Sequence, residues 1–130
     1  MSPNVLVADF NRALAEFRTA LATSPVSRLE QAGCIQYFEF CFELAWKVLK
    51  SLAAYHGLAG AESPRGALRV AFGQGWLGDE SIWLEMLDCR NRMSHTYSSD
   101  SALLAYARLD AFLAVLEQLE VQLKRLVVTP

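Results

Sequence analysis

The stretch Arg90-Asn91-Arg92-Met93-Ser94-His95-Thr96-Tyr97 carries the residue types and spacing in this 130-residue chain that best suit chemistry. If it is helical, Arg90 and Ser94 stand one turn apart, and so do Asn91 and His95, so the four share less than half of the circumference. That grouping suits a phosphate: a guanidinium fork for two oxygens, an imidazole that exchanges protons near neutral pH, and neutral hydrogen-bonding groups beside them. It also suits RNA cleavage without a metal. The imidazole takes the 2′-hydroxyl proton or protonates the leaving 5′-oxygen, while the arginine stabilises the crowded phosphate. One histidine does not easily fill both roles at once. Two copies of the motif facing each other across a two-fold axis would. The plainer alternative is a structural hydrogen-bond cluster at a helix end.

A helix must lead into this stretch. At about 100° per residue, Trp83, Met86, Leu87 and Met93 fall on one side of it, and Ser81, Glu85, Asp88 and Arg92 on the other. Arg90 projects along the middle of the apolar side, and Ser94 and Tyr97 repeat its direction, so the inward stripe turns polar near the C-terminal end. An arginine placed there needs a partner, because an unpaired buried charge is very costly. A carboxylate of the fold, a second subunit or an anionic ligand would each serve. We expect the guanidinium to sit in a mostly apolar cleft and to await an anion that the bundle does not supply.

The remaining elements read as scaffold. Ser2-Pro3 starts a first helix, from about residue 4 to about residue 22, carrying Leu6, Phe10, Ala13, Leu14, Phe17 and Leu21; Thr23-Ser24-Pro25 ends it. A second helix, from about residue 27 to about residue 56, is apolar in nearly every direction between Ile35 and Leu52. Since a small bundle seldom covers one member on all sides, part of this helix is expected to meet another subunit. Its narrow polar stripe is Gln36, Glu39, Glu43, Lys47 and Lys50. Either Glu43 and Lys47 form a solvated pair four apart, or Glu39 or Glu43 turns inward to Arg90. His56-Gly57 closes the helix, with His56 as a charge at its end and not a catalytic group. Ser63-Pro64 opens a short helix that stops near Gly73; its Arg65 and Arg69 could hold an anion but fit solvated side chains better. Asp79 can cap the helix bearing the motif, which should end near Thr96. Ser98-Ser99-Asp100 caps a last helix to about residue 126, with a seam of Ala102, Ala105, Leu109, Phe112, Leu116, Leu119, Leu123 and Leu126. The ends from Val127 to Pro130 should fray. The sum is an all-α, up-and-down antiparallel bundle of about five helices, two of them long, forming one domain over residues 1–130.

Composition narrows the function. A hydrophobic fraction of 53% with seven Gly and four Pro marks an ordered globular chain with apolar surface to spare for a subunit interface. A formal charge of −2 argues against bulk electrostatic binding of nucleic acid, though a locally basic groove is compatible with it. Cys34, Cys41 and Cys89 show no short pairing and there are only two histidines, His56 and His95, so buried reduced thiols are expected, with no metal and no cofactor. The N-terminus has no signal pattern and no apolar run reaches membrane length, which points to a cytoplasmic protein.

Phe38-Glu39-Phe40-Cys41-Phe42-Glu43-Leu44-Ala45-Trp46-Lys47-Val48-Leu49-Lys50, Ser63-Pro64-Arg65, Trp83 and the motif from Arg90 to Tyr97 together resemble the nucleotidyltransferase substrate-binding protein family of the HEPN superfamily. The likeness runs from about residue 5 to about residue 125, with its blocks in the expected order. It implies a helical bundle, usually a homodimer, that partners a minimal nucleotidyltransferase. In related toxin–antitoxin pairs the HEPN member is a metal-independent ribonuclease. The resemblance places Arg90 and His95 on its catalytic positions, with Asn91 as polar neighbour, and Tyr97 on the tyrosine that the nucleotidyltransferase modifies with AMP to silence the toxin. Two functions are therefore expected as alternatives. One is a nucleotide-binding subunit using Arg90, Asn91, Ser94, His95 and Tyr97; the other is an endoribonuclease.

Overall fold

The computed structural model describes residues 3–23, 27–95 and 98–127, with the backbone alone at Ser94, His95 and Ser99. Within these residues the chain forms α1 (Pro3–Ala22), α2 (Arg28–Tyr55), α3 (Pro64–Gly73), α4 (Glu80–His95) and α5 (Ser99–Leu126), with no strand. These follow the expected up-and-down bundle with two long helices. Expectations for Ser2, for Ser24-Pro25 and for the last three residues lie outside the described residues.

Local chemistry sets the helix ends. Ser27 caps α2 with a reciprocal box: its hydroxyl accepts from the Glu30 amide, and the Glu30 carboxylate accepts from the Ser27 amide, each at 3.0 Å. At the other end Gly57 takes a φ of 70°. There the Leu58 amide donates to the Ala53 carbonyl at 2.8 Å and the Gly57 amide to Ala54 at 3.1 Å, a Schellman closure. The same pair of bonds recurs after α3, from Trp76 to Ala71 and from Gly75 to Phe72. Ser63 and Ser98 cap α3 and α5 through the amides of Gly66 and Ser101. Asp79 stands where α4 begins; its carbonyl accepts from the Ile82 and Trp83 amides, and its φ is 53°.

α2 is the central element, packed by α1, α3, α4 and α5 alike. Much of its apolar girth is thus covered within one chain, while Phe40 and Tyr55 stay exposed on it. Phe38 touches the rings of Phe17, Phe42 and Phe112, joining α1, α2 and α5, and Phe42 meets Trp83 at 6.4 Å to bring in α4. The seam of α5 is buried from Ala105 to Leu123. Among the described residues no helix is long and apolar enough to cross a membrane.

Candidate functional site

Arg90 follows Trp83 by seven residues, two turns, so it repeats the direction of a buried side chain. Trp83 is fully inside, but by Arg90 the stripe has reached the edge of the bundle, and the arginine side chain is 29% exposed. Side chains slope toward the N-terminus of their helix, which carries the guanidinium back toward α2. There it meets Glu43, the residue after Phe42. Arg90 Nε donates to Glu43 Oε1 at 2.7 Å, and Nη2 lies 2.6 Å from the same oxygen.

This contact decides between the two readings of the polar stripe and corrects the expectation of an absent anion. The bundle does supply a counter-charge, because one turn of α2 places a carboxylate opposite the arginine. The other carboxylate oxygen is also held: Trp46 Nε1 donates to Glu43 Oε2 at 3.0 Å. On the far side of the guanidinium, Arg90 Nη1 donates to the Asn91 side-chain oxygen at 3.1 Å. Glu39, one turn before Glu43, has its carboxyl pushed above the usual range, chiefly by burial, with Arg90 pulling it down and Glu43 pushing it up. Arg90, Asn91, Glu43, Trp46 and Glu39 therefore form one cluster at the junction of α2 and α4. Trp46 was not anticipated. Its position three residues after Glu43 was the available signal, obscured by the many aromatics around it.

The rest of the motif divides. Arg92 points away from Arg90; it lies 3.7 Å from Asp88 and, with Met93, lines a cleft of about 290 Å³ between α4 and α5. That cleft also holds Cys89, Leu104 and the Arg108–Glu85 pair, in which Nε and Nη2 donate to the two carboxylate oxygens at 2.6 and 2.9 Å. The backbone continues as helix through Ser94 to His95, so these two follow Arg90 on the same element. Their side chains, and the whole of Thr96 and Tyr97, lie outside the described residues. His56 sits between the rings of Tyr55 and Trp76 at the other end of α2. Arg65 and Arg69 are exposed. The three thiols are buried, which raises the pKa of each, that of Cys41 to about 12. No group of three or more His, Cys, Asp or Glu among the described residues could hold a metal ion.

Known proteins share this chain's family and fold. Residues 6–125 match the family described as nucleotidyltransferase substrate binding protein like. A Haemophilus influenzae protein named Probable ribonuclease HepT is 40% identical over 96 residues, a match spanning 68% of this chain and 66% of that protein, just under two thirds of its length. A solved Thermus thermophilus structure superposes with a TM-score of 0.80 at 33% identity, over 89% of this chain and 99% of that one. A second, from Haemophilus influenzae, is described as revealing the fold of a substrate binding domain of a nucleotidyltransferase. It superposes with a TM-score of 0.76 at 31% identity, over 95% and 99%.

Proposed function

Because this chain belongs to the nucleotidyltransferase substrate-binding protein-like family, a branch of the HEPN superfamily, we propose that it is the nucleotide-binding subunit of a minimal nucleotidyltransferase, acting in the cytoplasm as a single HEPN-like domain over residues 1–130. The observation that carries the reading is Arg90 itself. A guanidinium that is partly buried, held by Asn91 on one side and by the part-exposed carboxylate of Glu43 on the other, suits the two oxygens of a phosphate. Asn91, Ser94, His95 and Tyr97 are the further groups of the site. Titration of purified protein with AMP tests it. Binding should weaken about 10- to 100-fold in Arg90→Ala, the loss expected for a charge-assisted pair of hydrogen bonds; equal affinity in the two proteins would reject the role.

A homodimer belongs to the same reading. Exposed Leu84, Leu103 and Leu104 support it, being apolar side chains that one chain leaves uncovered. Light scattering should give twice the 14.5 kDa of one chain; a monomer at working concentrations would exclude it.

The 40% identical relative named as a ribonuclease favours a second reading, a metal-independent endoribonuclease with Arg90 and His95 catalytic, Asn91 supporting and Tyr97 as the site where the partner attaches AMP. RNA incubated with the protein in EDTA should then be cut to 2′,3′-cyclic phosphate ends. Cleavage should vanish in both Arg90→Ala and His95→Ala; intact RNA with the wild type removes this reading. After co-expression with the nucleotidyltransferase, mass spectrometry should find AMP on the wild type and not on Tyr97→Phe, and an unmodified wild type counts against that step.

A further inference from the structure

We propose that Glu43 is a built-in occupant of the anion site: its carboxylate holds the edge of Arg90 that a phosphate takes, and a nucleotide binds by exchanging with it. The inference rests on the reading of Arg90 as a phosphate receptor and adds how the site is kept closed and what opens it.

Nε and Nη2 form the edge of a guanidinium best matched to a two-oxygen acceptor. Both are engaged here, but by a single oxygen, Glu43 Oε1, at 2.7 and 2.6 Å. A phosphate would offer each nitrogen its own oxygen and form two parallel bonds. The exchange therefore favours phosphate esters over anions that make one-point contacts, which gain nothing over the carboxylate already in place.

The surroundings suit a carboxylate that leaves and an arginine that stays. Asn91 holds Nη1 on the far side, so the guanidinium keeps its place. Trp46 holds Glu43 through the other oxygen, Oε2, a tether independent of Arg90. The indole is itself backed by the Lys50 ammonium, 6.0 Å from the ring centroid. Glu43 is 32% exposed, so water can hydrate the oxygen it withdraws. Until a ligand arrives, the same carboxylate spares the fold a half-buried unpaired charge.

Two measurements test the exchange. Calorimetric titration with AMP should show Glu43→Gln binding about fivefold tighter than wild type, because the amide keeps the shape and the Trp46 acceptor but loses the competing charge. In the unmutated protein, saturating inorganic phosphate, which has no ring to perturb a spectrum, should shift the Trp46 indole N–H resonance. That shift should be absent in Arg90→Ala. Arg90-dependent binding that Glu43→Gln leaves equal or weaker, or that leaves the Trp46 resonance unmoved, overturns the exchange while the phosphate-receptor reading stands. Binding indifferent to Arg90, or none in any variant, overturns both.

Discussion

Glu39 and Glu85 are carboxylates whose surroundings push them in opposite directions, and each makes a signed prediction. Burial raises Glu39 above its ordinary value of 4.5, so the fold disfavours its charge. That penalty is full at neutral pH and is relieved as pH falls through the raised value toward 4.5. Glu39→Gln should therefore melt at a higher temperature than wild type at pH 7, with the gap closing in acid. Glu85 is the reverse: its hydrogen bonds from Arg108 lower it. Its contribution is present above 4.5 and is lost as pH falls through the lowered value. Glu85→Gln should melt lower than wild type at pH 7 and match it in acid. Melting curves followed by circular dichroism between pH 3 and pH 7 check both; the same sign for the two variants at pH 7 would contradict the assignment. The sequence made Arg90 conspicuous, because a charge on an apolar stripe breaks a pattern. It left the identity of the partner open, since Glu39 and Glu43 sit one turn apart and only the axial offset of α2 against α4 separates them. That offset follows from Phe42 on Trp83, a contact no spacing rule specifies.

The helices themselves were legible almost to the residue, because their ends carry hydrogen-bonding side chains and glycines and their faces carry period-3.6 apolar stripes. The α2 boundary shows why. Ser27-Arg28-Leu29-Glu30 spells a capping box, and Ser27→Ala should cost about 1 kcal/mol in denaturant unfolding. A cost near zero would mean the box adds nothing to the folded state. Less legible was the loop between α2 and α3. A Cβ at Gly66 would land against the Gly60 carbonyl oxygen, closer than real side chains sit to backbone. The approach is tertiary, between chain segments six residues apart, so the sequence shows only a glycine inside a helix. Gly66→Ala should destabilise the protein by at least about 1 kcal/mol although alanine is the better helix former; a more stable variant would refute the crowding.

For the molecule as a whole, one central helix wrapped by four others explains how a chain with 53% hydrophobic residues buries Phe17, Phe38, Phe42, Trp83 and Phe112 in one core, while Phe40 and Tyr55 stay exposed. That arrangement was not visible in the sequence, because an all-round apolar helix looks alike whether its cover comes from its own chain or from another. It also places the α2–α4 cluster at the edge of the bundle, where a small anion can reach it. The proposal at this scale is that a nucleotide's phosphate takes the Nε and Nη2 edge of Arg90, now held by Glu43. A crystal structure of the protein with AMP tests it most directly. The account predicts phosphate oxygens about 3 Å from Arg90 Nε and Nη2, with the Glu43 carboxylate turned off the guanidinium and still bonded to Trp46. A phosphate found elsewhere, in the α4–α5 cleft for instance, with the Arg90–Glu43 pair undisturbed, would contradict it.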